Sequence, residues 1–490
     1  MAYRDLREWL EAAEDYSGLK RITGAHWDLE MSSLFELIQR EGKTPKPGLV
    51  LFDDIPGYPK GYRTLFGLRG SPEEIAKILG LPDNQLDRMS LLHNWRKKIK
   101  NIRLIPPKFV TSGPVDENVD TGDQINILKF PSPRFHEHDR ARYIGTACSI
   151  IQREPDEGWV NLGAYRVMVV DRNRLTLHAT EAQHGGIIMN EKYFARRDAM
   201  PVAVAIGVDP VLYWVTALKV PWGISEYDYA GGAKGEPIEV IRGPYTGLPL
   251  PACAEIVIEG ECIPGELADE GPFGEWHGYY ANLGLLSVPE PVIQVKAVHY
   301  RNNPIVTCTQ ETVPPHDDCL GEAVTYSAEV WDRLEQFGIP GVRGVWCHEL
   351  GHGNLLCVVS IKQMYAGHSR RAGLVASQCQ VLARYVIVVE EDIDPSNLEQ
   401  VLWAVVTRGR PDQAIEILHR CRSGNHDPAI PPEEKKRFKT SAKPLYTSIA
   451  IIDGCRGWEW KDDWYPIAKV SPELRAKILE KWQPLLSDIL

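Results

Sequence analysis

The sequence predicts a multidomain α/β protein, because three kinds of segment follow one another along the chain. Helical and strand signals alternate through the first hundred residues, short β-branched runs dominate the middle, and a continuous apolar strand leads into a helix near the C-terminus. A chain of 490 residues is also long enough for two or three domains, each with a sizeable core. We therefore expect an ordered protein with several packed layers.

The N-terminal residues 1–115 are predicted to form a small α/β domain. A helix is expected from about Tyr3, a strand at GLVLFDDI, and a second helix that Ser71 opens with Pro72 in its first turn. The stretch IPPKFVTSGPVDENVDTGD that follows is rich in Pro and Asp and too polar for a core element. It is therefore interpreted as a surface connection.

The middle of the chain predicts a largely antiparallel sheet or barrel. From about Tyr143 to Val306, short β-branched runs such as YRVMVVD, MPVAVAIG, AEIVIEG and PVIQVKAV recur between Gly, Pro and Asn residues. The segment LGEAVTYSAEVWDRLEQFG then has helical spacing and ends at Gly338, which predicts a long helix. Residues 116–312 are assigned to the β-rich domain and residues 313–340 to this linking helix.

Residues 341–490 are predicted to form a C-terminal α/β domain. In ARYVIVVEEDIDPSNLEQVLWAVV a continuous apolar strand leads into a helix, which we expect Asp394 to cap with Pro395 at its first position. This βα unit predicts a parallel sheet. A closing helix is expected to begin at Ser471-Pro472 and to take part in oligomerisation.

Composition and charge argue against several classes of partner. The 55 basic and 66 acidic residues give a net charge of -11, and no Lys/Arg run is long enough to follow a phosphate backbone, so nucleic acid is not expected. The N-terminus has the pattern of an amphipathic helix rather than a signal peptide, and no window approaches the ~20 apolar residues that span a bilayer. A cytoplasmic protein without membrane contact is expected.

Its ten cysteines form no C-x-x-C pair and are expected to be buried free thiols.

Two segments have an unusual local composition, WVNLGAYRVMVVD at 159–171 and DEGPFGEWHGYY at 269–280. In the second, Glu270 and Glu275 lie five residues apart across Gly-Pro-Phe-Gly, a composition that disfavours a helix. The two carboxylates are therefore expected on a loop. From this peptide alone, a solvated turn is as good an interpretation as a catalytic pair.

Six residues with chemically constrained side chains relate these segments to a known family. They occur in the order and spacing Asn161, Arg166, His184, Glu226, Glu270 and Glu275. In this respect the sequence resembles the UbiD family of prenylated-flavin-dependent decarboxylases, from near the N-terminus to at least Arg408. In that family an Asn, a His and a Glu bind a metal, while an Arg and two acids do chemistry. The resemblance implies that the β-rich domain is a cofactor-binding split β-barrel of the flavin-reductase-like kind.

The resemblance implies a flavin that is held through a metal. Asn161, His184 and Glu226 would bind Mn²⁺ or Mg²⁺. Their oxygen and nitrogen donors suit such a cation better than they suit zinc of the thiolate-bound kind. A phosphate of prenylated FMN would complete the coordination. Trp159 stands where the family has a Trp whose carbonyl helps to hold K⁺, and Gln183, next to the metal-binding His, is expected near the cofactor.

The resemblance also implies three catalytic residues. Arg166, expected to contact the cofactor as well, would orient the substrate carboxylate together with Glu270 through its planar, bidentate guanidinium. Glu275 would be the proton donor. That role requires a carboxyl that stays protonated near neutral pH, and burial near Phe273 and Trp276 is expected to raise its pKa.

The activity that the resemblance implies is reversible, non-oxidative decarboxylation of an aromatic or heteroaromatic carboxylic acid. A separate flavin prenyltransferase would supply the cofactor, and the enzyme would form a homodimer or homohexamer. The sequence does not choose between hydroxybenzoates, heteroaryl acids and larger fused rings, and acrylic acids such as cinnamates stay open.

A second motif predicts different chemistry. The segment from His348-Glu349 to His352 matches H-E-x-x-H, in which two His on one helical face bind zinc and Glu is the base of a metallopeptidase. The match needs a helix, yet glycines interrupt the segment, and Leu355 stands where the longer zinc-peptidase motif requires Gly. Glu390 would have to serve as a distant third ligand. A metallopeptidase remains the alternative, and a flavin-binding barrel without activity is a third interpretation that the intact Arg and Glu residues argue against.

Overall fold

The computed structural model describes residues 3–14, 18–42, 48–379, 382–441 and 444–486 of the chain. Within these residues the chain forms three successive groups of helices and strands, each containing a sheet. No helix in these ranges is both long and apolar enough to cross a membrane.

The N-terminal group combines four helices with a small mixed sheet. Its elements are α1 (Leu6–Glu14), β1 (Lys20–Thr23), α2 (Glu30–Glu41), β2 (Val50–Asp53), β3 (Arg63–Phe66), α3 (Pro72–Leu79) and α4 (Arg88–Ile99). The strands β1 and β2 are parallel and β2 and β3 are antiparallel. The start of α3 is as predicted, because Ser71 and Glu74 each accept a hydrogen bond from the other's backbone N–H and Pro72 occupies the first turn.

The middle of the chain forms an antiparallel sheet of nine strands. The strands of this region are β4 (Lys108–Phe109), β5 (Asn118–Thr121), β6 (Tyr143–Gly145), β7 (Cys148–Arg153), β8 (Val160–Gly163), β9 (Arg166–Val169), β10 (Arg174–His178), β11 (Met200–Ile206), β12 (Glu239–Arg242), β13 (Pro249–Pro251), β14 (Ile256–Glu270), β15 (Val288–Tyr300) and β16 (Ile305–Cys308). The order is β6-β9-β10-β15-β14-β11-β7-β8, with β5 also on β15, and each pair is antiparallel as predicted. The strands β4, β12 and β13 form a separate small sheet, and β16 joins the N-terminal sheet beside β3.

The large sheet curls because of the way its ends are connected. β8 is the last strand in the order and β9 the second, yet only Ala164 and Tyr165 separate them along the chain. Two residues cannot cross a flat sheet whose strands are ~4.8 Å apart, so the two ends must bend towards each other. β6 and β8 are not paired in the described structure, and the sheet is therefore an open, curled half-barrel.

Three short helices lie between strands of this region. They are α5 (His184–Ile187), which continues as a π-helical turn (Ile188–Tyr193), α6 (Pro210–Thr216) and α7 (Glu226–Lys234). The strand β8 contacts both α5 and α7. Three separated stretches of the chain therefore meet at one edge of the sheet.

The helix α8 (Cys319–Gln336) precedes the last sheet and ends before Gly338, as predicted. The remaining elements are β17 (Val342–Cys347), β18 (Leu356–Ile361), α9 (His368–Ser377), β19 (Tyr385–Glu390), α10 (Leu398–Arg408), α11 (Pro411–Ala414), β20 (Ile415–Arg422), α12 (Pro432–Ser441), β21 (Tyr446–Asp453) and α13 (Pro472–Leu486). In the order β17-β18-β19-β21-β20 the three central strands are parallel, as predicted, and both edge strands are antiparallel. The closing helix α13 begins directly after Ser471.

The start of α10 differs from the prediction. Asn397, not Asp394, is the N-cap, and its side chain accepts the N–H of Gln400 at 3.1 Å. The carboxylate of Asp394 instead accepts from the backbone N–H and the hydroxyl of Ser396 and closes a turn before the helix. Two residues with the same capping chemistry lie three positions apart, and the sequence does not tell which of them begins the helix.

Candidate active site

The predicted metal ligands lie on the three stretches that meet beside β8. Asn161 lies within β8 and is buried, and its amide nitrogen donates to Gln152 Oε1 at 3.4 Å. Gln152 Nε2 in turn donates to the carbonyl of Gly185 at 3.4 Å, directly after His184. One side chain therefore connects Asn161 with the start of α5.

The start of α5 can lie against β8 because residue 185 is a glycine. A Cβ atom at Gly185 would lie 2.3 Å from the Tyr165 ring and 2.5 Å from Gln152 Oε1. The N–H of Gly185 also donates to the Tyr165 hydroxyl at 2.9 Å. A side chain at this position would push α5, and His184 with it, away from Asn161.

Glu226, the first residue of α7, reaches the same strand. Its Oε2 accepts the backbone N–H of Leu162, the residue after Asn161, at 2.7 Å. Glu226 is only 2% exposed and forms no ion pair with a described residue. Burial raises the pKa of this carboxyl to about 8, since no cation compensates for the lost water. A buried carboxylate without a protein counter-charge is suited to a metal ion.

His184 adds a nitrogen donor to this set. Its ring lies edge-to-face against Trp159 and Trp222, with centroid distances of 5.9 and 5.2 Å. Burial lowers the pKa of His184, which favours the neutral imidazole that binds metals. An amide oxygen, an imidazole nitrogen and a carboxylate oxygen therefore adjoin β8, and these donors fit Mn²⁺ or Mg²⁺.

The two further residues predicted near the cofactor lie in different environments. Trp159 contacts His184 through its ring, while its carbonyl accepts the N–H of Glu154 at 2.9 Å and keeps a second lone pair. Gln183 is exposed, and its Oε1 closes a turn by accepting the N–H of Thr180 at 3.0 Å. The structure therefore brings Trp159 to the set of predicted ligands but not the side chain of Gln183.

Arg166, the first residue of β9, holds the two predicted catalytic acids. Two of its nitrogens donate to the two oxygens of Glu270 at 2.8 and 3.0 Å, and its third donates to Glu275 Oε1 at 3.1 Å. The guanidinium carbon also lies 4.3 Å from the centroid of the Phe273 ring. Glu275 lies on a loop, as predicted, whereas Glu270 was wrongly placed there, because it is the last residue of strand β14; both acids are buried. The three side chains form one buried, charge-assisted cluster.

The charge state of Glu275 differs from the prediction. Burial alone would raise the pKa of this carboxyl, but His426 and Arg166 outweigh burial and hold the pKa well below the usual range. Arg166 likewise outweighs burial at Glu270 and lowers its pKa. Both acids are therefore ionised near neutral pH in this structure. The predicted rise for Glu275 was wrong because it considered burial and omitted the cations that face the loop.

Sequence reasoning missed two titratable residues beside Glu275. His426, from the segment between β20 and α12, has its Nδ1 3.2 Å from Glu275 Oε1. Glu311 and Glu275 both line a cavity of about 320 Å³, and burial, followed by the charge of Glu275, raises the pKa of Glu311 to about 8. No motif or local spacing points to either residue, because both reach Glu275 only through tertiary packing.

The H-E-x-x-H segment does not have the geometry of a zinc-peptidase site. His348 precedes a 3-10 turn and His352 follows it with φ 49°, so the two rings do not share a helical face. His348 Nε2 lies 3.0 Å from the Pro395 carbonyl, within hydrogen-bonding distance. The proposed third ligand, Glu390, is paired with two arginines.

Comparison with known proteins assigns the chain to a family. Residues 8–90, 108–314 and 320–454 match, in turn, the N-terminal, Rift-related and C-terminal domains of 3-octaprenyl-4-hydroxybenzoate carboxy-lyase. The chain belongs to the UbiD family. This UbiD protein is accordingly a carboxy-lyase.

Similar proteins include decarboxylases with named substrates. The UbiD protein is 32% identical over 413 residues to pyrrole-2-carboxylic acid decarboxylase of Pseudomonas aeruginosa, with 81% of each chain covered. Its structure matches vanillic acid decarboxylase of Sedimentibacter hydroxybenzoicus in closed form with a TM-score of 0.83 and 27% identity, over 99% of both chains. It also matches an evolved dimeric form of the UbiD-class enzyme HmfF of Pelotomaculum thermopropionicum in complex with prFMN, with a TM-score of 0.80 and 25% identity over 100% of both chains. Its multidomain fold is that of UbiD-class enzymes.

The Arg166→Met variant is expected to lose stability in a pH-dependent way. In the wild type, Glu270 and Glu275 have lowered pKa values, so their contribution to stability is present above the unfolded value of about 4.3 and is lost as the pH falls through the folded value. Without the guanidinium, burial raises the pKa of Glu270, so the folded variant buries an uncompensated charge at pH 7.5 and loses that charge by protonation as the pH falls towards 5. The thermal midpoint should fall by several degrees at pH 7.5, from a loss of ~3–5 kcal/mol, and the deficit should shrink towards pH 5.

Circular dichroism melts between pH 5 and 8 measure this deficit. Arg174→Met is the matched control, because Arg174 lies on the neighbouring strand β10 and pairs with Asp171 at the surface. It should change the midpoint little at any pH. A deficit in Arg166→Met that is the same at every pH would contradict the assignment of two ionised acids to this cluster.

Proposed function

We propose that this UbiD protein catalyses the reversible, non-oxidative decarboxylation of an aromatic or heteroaromatic carboxylic acid with prenylated FMN. The observation that carries the proposal is the buried Arg166 guanidinium shared by Glu270 and Glu275. A buried cation can bind the anionic substrate, and a neighbouring acid can supply the proton that replaces CO₂. The strand β9, which begins at Arg166, follows β8 and its metal-ligand set after only two residues.

The residues beside β8 fit the cofactor that the proposal requires. When bound, prenylated FMN supplies the electron sink that loss of CO₂ from an sp² carbon needs and that no side chain provides. Asn161, His184 and Glu226 would hold its phosphate through Mn²⁺ or Mg²⁺, and the absence of a protein counter-charge at buried Glu226 among the described residues supports this role. We also propose a K⁺ site that shares Glu226 and the free lone pair of the Trp159 carbonyl.

Arg166 binds the substrate carboxylate in this mechanism, and Glu270 fixes the orientation of the guanidinium through two parallel hydrogen bonds. The incoming carboxylate brings a negative charge beside Glu275 and replaces part of the interaction between Glu275 and Arg166. Both effects raise the pKa of Glu275. Glu275 therefore takes up a proton as substrate binds, and delivers that proton to the carbon that has lost CO₂. In carboxylation the same residue removes a proton.

The substrate class is that of flat aromatic acids. The names of similar proteins refer to pyrrole-2-carboxylic acid and to vanillic acid, a heteroaryl and a substituted benzoic acid. Both carry their carboxylate directly on a planar ring, which suits a site with one buried guanidinium. A flavin prenyltransferase would supply the cofactor from outside this chain.

Self-association through α13 is a further part of the proposal. Leu474, Ile478, Trp482 and Leu485 are all largely exposed, although they are apolar. Their spacing of four, four and three residues puts them on one face of the helix. A stripe of this kind is normally covered, and we propose that another copy of the chain covers it in a homodimer or homohexamer.

The Glu275→Gln variant is expected to keep the cofactor and to lose turnover. The amide preserves the size of the side chain and a hydrogen-bond acceptor for Arg166, but it cannot donate the proton. After coexpression with a flavin prenyltransferase, kcat for CO₂ release from a panel of aromatic acids should fall by ~10²–10⁴-fold, with an unchanged flavin absorbance. Glu261→Gln, at an exposed ion pair on β14, is the control and should keep full activity. Full activity of Glu275→Gln would remove this residue from the mechanism.

The Glu226→Gln variant is expected to lose metal-dependent binding of flavin. MnCl₂ and FMN together should raise the thermal midpoint of the wild-type apoprotein by a few degrees, because both bind the folded state alone. The variant lacks the anionic ligand and should show no rise. Asp228→Asn, two residues further along α7, is the control and should respond like the wild type. Equal stabilisation of all three proteins would argue against a metal at Glu226.

The double variant Ile478→Glu/Trp482→Glu is expected to dissociate the oligomer. Two charges on the apolar stripe of α13 would have to be buried at the interface, which is unfavourable. Light scattering should give the mass of the 55.1 kDa monomer for the variant and a multiple of it for the wild type. Lys477→Glu, on the same helix but outside the stripe, should keep the wild-type mass. A monomeric wild type would rule out the interface.

A further inference from the structure

Four titratable side chains form a row that begins with the candidate proton donor, Glu275. His426 Nδ1 lies 3.2 Å from Glu275 Oε1, and His426 Nε2 lies 3.4 Å from Nε2 of His178. His178 Nδ1 in turn lies 2.9 Å from Glu290 Oε1. Two imidazoles, arranged edge-to-face at a centroid distance of 5.4 Å, therefore stand between two carboxylates.

The contacts limit where protons can lie in this row. Nδ1 of His178 faces a carboxylate oxygen that can only accept, so this nitrogen carries the proton of the hydrogen bond to Glu290. The two inner Nε2 atoms can hydrogen-bond only if one proton lies between them. Nδ1 of His426 lies at ion-pair distance from Glu275 and has no hydrogen-bond partner among the described residues, so a proton on this atom has no acceptor other than Glu275 nearby. With that proton the pair would hold three protons and one positive charge, between the negative charges of Glu275 and Glu290.

The backbone holds His426 in this place independently of its ring. His277, two residues after Glu275, hydrogen-bonds through Nε2 to the His426 carbonyl at 2.8 Å. Burial lowers the pKa of His277 to about 4, so its ring is neutral and donates to that carbonyl. The next residue, Asp427, is buried and accepts from Arg384 and from the Ser423 hydroxyl. The loop is thus fixed on both sides of the contact with Glu275.

We propose that His426 and His178 form the proton reservoir of Glu275, so that His426 is a positioning residue that acts on the reaction through Glu275. This inference rests on the proposed decarboxylation. The Nδ1–H bond of His426 breaks as an O–H bond forms on Glu275, and the inner proton stays on Nε2 of His426. The imidazole pair becomes neutral and the carboxylate becomes a carboxylic acid. Solvent restores the proton, since 18% of the His426 side chain is exposed.

Charged groups on both sides of the pair set its response to pH. They are Glu275, Glu290, Glu270, Arg166 and His277 from the curled sheet and its loop, and Asp427, Arg384 and Lys435 from the later segment. Arg166 is already engaged by Glu270 and Glu275, and Lys435 donates to the Ala281 carbonyl.

The first experiment compares His426→Asn and His178→Asn with the wild-type holoenzyme. Asn fills part of the space and hydrogen-bonds but does not take up a proton. His426→Asn should lower kcat by at least ~10-fold, with unchanged KM and flavin content, and should change the shape of the pH profile of kcat, because Asn cannot supply a proton to Glu275. His178→Asn should have a smaller effect in the same direction. The control is His419→Asn, an exposed residue of β20.

The outcome that overturns the proposal is a His426→Asn enzyme with the wild-type kcat or with an unchanged pH profile. A loss of kcat at every pH with the shape of the profile retained would assign His426 a purely structural role and would also overturn it. An altered profile in Glu311→Gln instead of His426→Asn would assign the proton supply to the other acid of the cavity.

A second measurement does not depend on the proposed function. Ring ¹⁵N NMR of the apoprotein at neutral pH should show protonated Nδ1 atoms in His426 and His178, and an Nε2 signal of His426 that shifts in His178→Asn. An unprotonated Nδ1 of His426, or an Nε2 signal of His426 that is the same in the wild type and in His178→Asn, would refute the reservoir even in an active enzyme. If the signals are as expected but no aromatic acid is decarboxylated, the proposed function is wrong, while the protonated histidine pair is still supported.

Discussion

The buried guanidinium of Arg166 is the interaction on which the rest of the site depends. An ionised carboxylate in a protein interior carries a penalty of several kcal/mol unless a cation compensates, and here the Arg166 guanidinium serves both Glu270 and Glu275, with His426 as a second partner of Glu275. Its fork geometry holds one acid with two hydrogen bonds and leaves the other with one. The acid that is held less firmly is the one assigned to proton transfer, and a substrate carboxylate can displace a single hydrogen bond more easily than a pair.

The curl of the sheet brings the strand that carries Asn161 towards the strand that begins with this guanidinium. Asn161 and Arg166 lie five residues apart on consecutive strands, yet those strands stand at opposite ends of the pairing order. The short connection through Tyr165 therefore closes the sheet on itself, and the Tyr165 hydroxyl also holds the start of α5. A flat sheet with the same strands would separate the predicted metal ligands from the acids by many strand widths. The fold thus connects the predicted metal ligands with the Arg166 cluster through one short turn of the backbone.

The sequence was sufficient wherever a local pattern had one physical interpretation. The antiparallel middle region, the parallel centre of the last sheet and the capping box at Ser71 are of this kind. The six spaced residues were predicted together as a site, and the structure brings Asn161, His184 and Glu226 to one edge of the sheet. Prediction failed where two local solutions competed, as at the start of α10. It also failed where a residue distant in sequence determines the pKa of a side chain, because no local pattern indicates that His426 contacts Glu275.

The origin of His426 in the third group of elements has a consequence for how such enzymes diversify. The residues proposed to hold metal and flavin, and Glu275 on its loop, belong to the middle region of the chain, whereas the imidazole beside that acid comes from a loop after β20. Recombination that exchanges the stretch after α8 between relatives would keep the proposed cofactor ligands and replace the neighbour of the acid. Under the proposed mechanism, turnover and its dependence on pH can therefore evolve on one stretch of the gene while cofactor affinity is conserved on another.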